Sequence, residues 1–170
     1  MNIIVFSDSH GSSATMEEIV RARLRDTDLF VHLGDGAFEF QRLAERYPER
    51  AFLCVCGNCD SRSRWQEGAA PPDDDLITLE GKRIFMTHGH RYGVKYGLET
   101  LFSAARERNA DITLYGHTHL AFSQYLPETD WHPAMYFLCP GSISHPAEGG
   151  PSYGVIHIGP DGVDVHYAEW

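Results

Sequence analysis

The octapeptide IIVFSDSH at residues 3–10 decides the fold. Its first half is a continuous apolar run of strand length, which is typical of a strand buried on both faces. Its second half becomes polar and ends in Asp8 and His10, with Gly11 directly after them. Because ligands of open α/β sheets bind beyond the carboxyl ends of the strands, this stretch predicts a central strand over residues 3–7 that delivers chemically active side chains.

The first third of the chain repeats this arrangement of strand and helix. Apolar runs predict further strands at residues 29–33 and 51–56. A helix capped by Ser12 or Ser13 is predicted to end near residue 24, and a second helix is predicted over residues 37–46, before Pro48. Strands that alternate with helices in this way indicate parallel strand pairing.

The remainder of the chain has a mixed pattern. Residues 62–75 are polar, contain adjacent prolines and three consecutive aspartates, and predict a surface loop. A hairpin at residues 76–79 and 83–87, a helix at 96–108, and a strand at 111–115 are predicted next, followed by mostly antiparallel strands at 120–125, 135–138, 155–158 and 163–167. The whole pattern favours a single α/β domain over residues 1–170 with two packed sheets.

Composition and charge argue against several classes of protein. The chain is 42% hydrophobic and 22% charged, which is ordinary for a globular domain. Its net charge of −10 argues against non-specific binding to nucleic acid or to an anionic membrane surface, since both need basic side chains. The longest apolar run, residues 51–56, is too short to span a membrane, and no basic segment precedes the first apolar run. With only four cysteines, we expect a reduced, cytoplasmic protein.

Side chains with metal-binding chemistry follow the predicted core strands. Carboxylates and imidazoles together suit manganese, iron, nickel, cobalt or zinc. The number of candidates is too large for one such ion, so we expect two divalent ions that share a carboxylate, with manganese first among the metals. The candidate ligands are Asp8, His10, Asp35, Asn58, His88, His117 and His119.

The charge of such a site favours a phosphate substrate. Two divalent ions bring a charge of +4, and the carboxylates of Asp8 and Asp35 bring −2. A hydroxide that bridges the ions leaves about +1 in an otherwise acidic protein. A cationic hole of this kind binds a phosphoryl oxygen and stabilises the charge that develops during in-line attack on phosphorus.

Five motifs in this order resemble those of the calcineurin-like metallophosphoesterases. The resemblance is closest to their small bacterial and archaeal phosphodiesterase branch, and it extends from residue 8 to residue 119. The tail with Pro140-Gly141-Ser142 fits this branch as well. The motifs are Asp8-Ser9-His10, Gly34-Asp35, Gly57-Asn58-Cys59-Asp60, His88-Gly89-His90 and Gly116-His117-Thr118-His119.

The resemblance implies a fold and a division of the ligands. The family fold is a sandwich of two central sheets flanked by helices, in agreement with the pattern above. By resemblance, one metal ion has the ligands Asp8, His10 and His119. The other ion has the ligands Asn58, His88 and His117, and Asp35 bridges the two. The branch often forms dimers, so the resemblance favours a homodimer.

The resemblance also implies which residues act on the substrate, a small phosphodiester. Asp35, Asn58 and His90 are the expected catalytic residues, and Asn58, Cys59 and His90 are the expected substrate contacts. Many family members have histidine where this chain has Cys59, and cysteine at this position is associated with hydrolysis of diesters rather than monoesters. A thiol is a poor proton donor to an alkoxide and brings no positive charge to a dianion, which agrees with that association.

Other interpretations stay open at the level of the sequence. His90 either contacts the substrate or holds its own loop, and the loop that carries His145 could reach the site. Asp60 is interpreted either as a support for a neighbouring ligand or as a turn former, and His32 as a core histidine. Four basic side chains either contact the far side of a diester or are solvated loop charges. These are Arg62, Arg64, Arg91 and Lys95.

Two alternative functions are kept beside the phosphodiesterase. The first is a phosphomonoesterase or a hydrolase of pyrophosphate bonds that uses the same two ions, and a substrate profile separates it from a phosphodiesterase. The second is a non-catalytic scaffold, since a retromer subunit with this fold has lost metal ligands and works through protein contacts. All seven candidate ligands are present in this chain, which disfavours the scaffold.

Overall fold

The structure is a computed structural model that describes all 170 residues. Its helices are α1 (Ala14–Arg23), α2 (Ala37–Ala44) and α3 (Glu99–Glu107), and short 3-10 turns occupy Arg62–Arg64 and His90–Tyr92. None of the helices combines the length and the apolar character that a membrane crossing requires. The strands are β1 (Asn2–Phe6), β2 (Leu29–His32), β3 (Ala51–Cys54), β4 (Asp74–Leu79), β5 (Lys82–Thr87), β6 (Ile112–Leu114), β7 (Ala121–Leu126), β8 (Met135–Pro140), β9 (Ser152–Gly159) and β10 (Gly162–Glu169).

The strand β1 lies at the centre of the first sheet, whose order is β10-β9-β1-β2-β3. It pairs in parallel with β2 and antiparallel with β9, so Ile3 lies opposite Leu29 on one side and Ile156 on the other. The strands β2 and β3 are also parallel. The carboxyl ends of β1, β2 and β3 therefore meet at one edge of the sheet, as the octapeptide predicts.

The second sheet has the order β4-β5-β6-β8-β7. Its three middle strands are parallel to one another, and the edge strands β4 and β7 are antiparallel to their neighbours. His88 comes directly after β5, and His117 follows β6 by two intervening residues. This sheet therefore contributes its own group of polar side chains at the ends of parallel strands.

Three apolar clusters hold the layers together. Ile3 and Val5 pack between the two sheets, whereas Ile4 and Phe6 pack among side chains of α1 and α2. This alternation explains why the first strand is apolar at every position. A third cluster joins the second sheet to α3. The layers confirm the predicted α/β fold of two central sheets flanked by helices.

The segment predicted as a surface loop, residues 62–75, has more structure than its sequence indicates. It begins with a 3-10 turn, and Asp74 and Asp75 already belong to β4, where they lie opposite Thr87 and Met86. The Asp74 carboxylate accepts a hydrogen bond of 2.6 Å from the Tyr92 hydroxyl. Pairing with β5 thus overrides the low strand propensity of aspartate.

Two other expectations also need correction. The helix predicted from residue 96 begins at Glu99, because Gly97 adopts a positive φ angle of 159° that a helix does not allow. The tail is only partly antiparallel, since β8 pairs in parallel with β6. Long-range pairing of this kind leaves no signal in the local pattern of residues.

Candidate metal centre

The loops that follow β1, β2, β5 and β6 bring two groups of donor atoms together at the meeting edge of the two sheets. Within each group, all donor atoms lie within 4.8 Å of one another. The amide oxygen of Asn58 lies 3.2 Å from Nε2 of His88, beside the second group. The first group is Asp8, His10 and His119, and the second is Asp35, His88 and His117; a third set, His10, Asp35 and Cys59, overlaps both.

The two groups are close enough to form one cluster. Nε2 of His88 lies 3.4 Å from Oδ2 of Asp35 and 3.9 Å from Oδ1 of Asp8. Nε2 of His10 lies 3.9 Å from the same Asp8 oxygen and 4.0 Å from Oδ2 of Asp35. The two carboxylates therefore lie between the imidazoles, and all seven residues singled out in the sequence lie around one point.

The backbone of this cluster is strained. Seven residues other than glycine have a positive φ angle, and five of them belong to the cluster. A left-handed conformation is unfavourable for a residue with a Cβ atom, and such residues concentrate at functional sites. The five are Asp8 (54°), His10 (44°), Asp35 (55°), His117 (71°) and His119 (59°).

Backbone carbonyl groups fix the orientation of two imidazoles. Nδ1 of His88 donates a hydrogen bond of 3.0 Å to the Leu33 carbonyl. Nδ1 of His119 donates one of 2.7 Å to the His145 carbonyl. In the neutral form of both rings the proton is therefore on Nδ1, and the lone pair of Nε2 points at the cluster. This is the usual arrangement of histidine ligands, whose second nitrogen is hydrogen-bonded to an oxygen.

The Asp8 carboxylate fits a cation. Its Oδ2 accepts hydrogen bonds from the Ser7 hydroxyl at 2.6 Å and from the His117 backbone N–H at 3.0 Å. Its Oδ1 is buried, lies 3.2 Å from Nε2 of His119 and accepts no hydrogen bond. A buried carboxylate oxygen without a partner is unfavourable unless a positive charge compensates it. The donor set around Oδ1 thus fits a divalent metal ion of the kind that carboxylate and imidazole ligands prefer.

The ionisation of the cluster is consistent with this role. Burial raises the pKa of Asp8, but the neighbouring His119 and His88 more than offset this, so its pKa lies below the ordinary value. The pKa of Asp35 is likewise lowered, since His88 and the Cys59 N–H outweigh burial. Burial lowers the pKa of His117 to about 4. Near neutral pH the carboxylates are therefore charged and His117 is neutral, as metal ligands must be.

Asp60 shapes the loop that carries Asp35, as the sequence suggests. Its carboxylate accepts hydrogen bonds from the backbone N–H groups of Asp35, Gly36 and Ala37, at 2.8–3.1 Å. A fourth comes from the N–H of Gly57, at 2.8 Å. Three of these donors lie at the start of α2, where a negative charge is stabilising. Asp60 thus joins the loops after β2 and β3.

Cys59 and His90 flank the cluster. The Cys59 N–H donates a hydrogen bond of 2.7 Å to Oδ1 of Asp35, and its sulfur accepts one from the Asn58 amide at 3.3 Å. Burial and the Asp35 carboxylate raise the pKa of the Cys59 thiol to about 11, so it is neutral at physiological pH. The His90 ring lies 5.3 Å from that of His88, and its buried Nδ1 has no partner.

Sequence reasoning assigned no role in the site to the hydroxyl groups of Ser142 and Ser144, in the loop after β8. The Ser142 and Ser144 hydroxyls both donate to the Asp8 carbonyl, at 2.7 and 3.1 Å. The His145 ring lies 5.5 Å from the His10 ring, so this loop does reach the cluster. The only signal in the sequence is the small, polar composition that follows Pro140.

His32 is a satisfied core histidine, as predicted. Its Nδ1 accepts a hydrogen bond of 3.1 Å from the Gly34 N–H, and its Nε2 is 3.1 Å from the Ser9 hydroxyl. Burial lowers its pKa to about 4. An unfolded histidine keeps its ordinary pKa of 6.5, so the unfolded state binds the proton first as the pH falls. The contribution of neutral, buried His32 to the free energy of unfolding is therefore complete above about pH 6.5, and it is lost between about pH 6.5 and 4.

We therefore expect acid to destabilise the protein less once His32 is replaced. In EDTA, the wild-type protein should lose up to about 3 kcal/mol between pH 7 and pH 4 through this one group. The H32Q variant keeps hydrogen-bonding groups and should show a correspondingly flatter profile of unfolding free energy. Urea unfolding at several pH values measures it, with H166Q, at an exposed position of β10, as the control. If the free energy of unfolding fell equally steeply with pH in the wild type and in H32Q, His32 could not be a group whose pKa is lowered by folding.

Comparison with known proteins gives the family of the chain. The model of the calcineurin-like phosphoesterase superfamily domain matches residues 1–161. The probable metallophosphoesterase YsnB of Bacillus subtilis is 30% identical over 169 residues, which cover 98% of this chain and 90% of that protein. The phosphodiesterase YfcE of Escherichia coli K12 is 30% identical over 182 residues, which cover 92% of this chain and 87% of that protein.

Solved structures show the same likeness. The crystal structure of a predicted phosphoesterase from Streptococcus pneumoniae TIGR4 superposes with a TM-score of 0.77 at 30% sequence identity. The match covers 99% of this chain and 88% of that one. The matched region includes every residue of the candidate metal centre. With its two-sheet fold and its donor cluster, this chain belongs to the calcineurin-like phosphoesterase superfamily.

Proposed function

We propose that this protein is a phosphodiesterase that uses two divalent metal ions. The observation that carries the proposal is the pair of donor groups around the partnerless Oδ1 of Asp8. Asp8, His10 and His119 would hold one ion. Asn58, His88 and His117 would hold the other, and Asp35 would be shared by both. When bound, the ions polarise a phosphoryl oxygen and make a water molecule nucleophilic near neutral pH, which serves in-line hydrolysis.

The residues of the chain set the geometry for that reaction. The carbonyl groups of Leu33 and His145 hold His88 and His119 so that Nε2 faces the cluster. Asp60 and the Cys59 N–H fix the position of Asp35. Such pre-organised ligands need little rearrangement when the substrate arrives. In this proposal, the Asn58 amide and the His90 ring would contact a phosphoryl oxygen or the leaving group.

The preference for diesters follows from Cys59. Its thiol is neutral and brings no positive charge to the second anionic oxygen of a monoester. A diester has one such oxygen fewer and depends less on that charge. A phosphodiester is therefore the proposed substrate, and manganese is the proposed metal. A homodimer and a cytoplasmic location stay predictions.

Removal of metal is expected to abolish hydrolysis. Protein stripped with EDTA should have no activity on bis-p-nitrophenyl phosphate, because the ligands alone supply neither the nucleophile nor the Lewis acid. Mn²⁺ should restore it, and Ni²⁺, Mg²⁺ or Zn²⁺ added singly ranks the metals. The same samples are assayed with p-nitrophenyl phosphate, which should be cleaved more slowly than the diester.

Each pattern of results has a clear meaning. Activity that persists in excess EDTA would contradict the metal-dependent mechanism. Faster cleavage of the monoester than of the diester would favour a phosphomonoesterase on the same site. Folded, metal-loaded protein that cleaves neither ester would count against an enzyme. Circular dichroism before and after stripping provides the folding control.

A further inference from the structure

A cavity of about 250 Å³ opens beside the metal centre. Its lining includes two donors of the cluster, His10 and Asp35, together with Cys59 and Asp60. Glu39 and Arg64 line the cavity as well. Glu39 belongs to α2, and Arg64 belongs to the 3-10 turn after β3. A phosphodiester whose phosphorus lies at the metal centre would extend one of its two substituents into this cavity.

Arg64 presents a flat, anchored guanidinium group there. Its Cζ lies 4.0 Å from the centroid of the Phe38 ring, so one face of the guanidinium is stacked on an aromatic ring. Its Nη1 is 2.8 Å from Oε1 of Glu39. The side chain nevertheless remains 45% exposed. The group is therefore held in place by two contacts while part of its surface is open to a ligand.

Contacts of the next residue make this arrangement rigid. The Trp65 ring packs edge to face against the Phe38 ring, with centroids 5.5 Å apart. The indole N–H of Trp65 donates a hydrogen bond to the Gln41 side chain on α2. The turn that carries Arg64 is thus fastened to α2, which begins at Ala37, two residues after Asp35. These contacts hold the turn beside the metal centre.

The other basic side chains near the motifs do not line this cavity. Arg62 and Arg91 both form ion pairs with Asp73. Lys95 is exposed and does not line this cavity, and its charge acts on His117 and His119. Arg64 is therefore the basic residue that distinguishes this cavity. Since its charge is already matched by Glu39, the cavity favours a neutral, planar substituent over a second anionic group, which would have to displace the Glu39 carboxylate.

We propose that Phe38, Arg64 and Glu39 form a subsite for a nucleobase, so that the substrate is a small nucleoside phosphodiester. The base would stack on Arg64, as bases do on aromatic and guanidinium planes. The second oxygen of the Glu39 carboxylate is available to an N–H group of the base. The cavity is slightly smaller than the about 300–1,000 Å³ of drug-sized sites, which suits one nucleoside. The net charge of −10 disfavours a polynucleotide. This proposal rests on the phosphodiesterase function above.

Two esters with the same leaving group test the subsite. Thymidine 5′-(p-nitrophenyl phosphate) and methyl p-nitrophenyl phosphate differ only in the substituent that would enter the cavity. With Mn²⁺, the wild-type protein should prefer the thymidine ester in kcat/KM by about tenfold or more, which corresponds to about 1.4 kcal/mol of stacking. In the R64A variant the ratio of the two kcat/KM values should fall towards one.

Two further variants separate stacking from charge. R64K keeps the positive charge beside Glu39 but lacks a planar group, so it should lose most of the preference as well. R46A removes an exposed arginine that follows the end of α2 and pairs with Glu17 at 2.6 Å. This variant should keep the wild-type ratio of the two kcat/KM values. A wild-type ratio near one, or an R64A ratio equal to that of the wild type, would overturn the proposal.

Binding gives a readout that does not depend on turnover. Calorimetric titration with thymidine 5′-phosphate and with methyl phosphate should show about tenfold tighter binding of the nucleotide by the wild type, and equal binding by R64A. If neither ester is cleaved with any metal while this difference is found, the phosphodiesterase function fails and the subsite stands. Equal affinities for both ligands in the wild type would refute the subsite itself.

Discussion

Replacing Asp35 by asparagine is expected to lower kcat/KM for bis-p-nitrophenyl phosphate about a thousandfold. Loss of a single charge-stabilising group in an active site typically reduces the rate about 10²–10³-fold, and Asp35 would serve both metal ions. Asparagine has the same shape but no charge, and its amide oxygen can still accept the hydrogen bond of 2.7 Å from the Cys59 N–H. Its NH₂ group would then take the place of Oδ2, which faces the cluster, and an NH₂ group is not a metal ligand. Steady-state kinetics and metal content by mass spectrometry measure the two effects.

The matched control for this variant is D161N. Asp161 is exposed in the turn between β9 and β10, so its replacement removes the same charge away from the cluster. It should leave both activity and metal content unchanged. If D35N retained wild-type activity and bound two ions per chain, Asp35 could not be the shared ligand.

Replacing Gly57, in the loop after β3, by alanine is expected to displace the Asp35 carboxylate. A Cβ atom at this position would lie 2.1 Å from Oδ1 of Asp35 and 2.4 Å from its backbone nitrogen. Since the backbone of Asp35 cannot move without breaking its bond to Asp60, we expect a loss of about 1–3 kcal/mol in the free energy of unfolding. The Asp35 carboxylate should also leave its position, with loss of metal binding and of most activity.

Urea unfolding in EDTA, together with metal titration of the folded variant, measures both consequences of G57A. The control is G150A, because a Cβ atom at Gly150 would meet only Glu169, at 3.9 Å. It should be close to wild type in stability and in metal affinity. Wild-type metal affinity in G57A would mean that the loops after β2 and β3 can separate without cost, contrary to their close packing.

The sequence allowed much of the fold to be predicted, because the central strands are short apolar runs with polar ends. Residues 3–10 identify one such strand, and the same pattern recurs before Asp35 and His117. These residues lie in local contexts, a strand followed by a turn, that a sequence displays directly. The structure places them in one cluster because the parallel strands of both sheets end at a common edge.

Other features depend on contacts between distant residues and could not be predicted. The Arg64–Phe38 stack joins a segment without periodicity to a helix 26 positions earlier. Arg62 and Arg91 looked equivalent to Arg64 in the sequence, yet both are bound to Asp73. The bonds from Ser142 and Ser144 to the Asp8 carbonyl span more than 130 positions. Which of these partners a side chain contacts cannot be predicted from any local pattern of residues.

The place of β1 in its sheet has a consequence for the synthesis of the chain. This strand leaves the ribosome well before its antiparallel partner β9, in which Ile156 lies opposite Ile3. At about 5–20 residues per second, the edge of β1 that β9 will cover stays without its partner for roughly 8–30 s. An apolar strand with an open edge is prone to pair with other chains. The nascent protein therefore passes through an interval in which binding by a chaperone, or slow local translation before β9, would decide its yield.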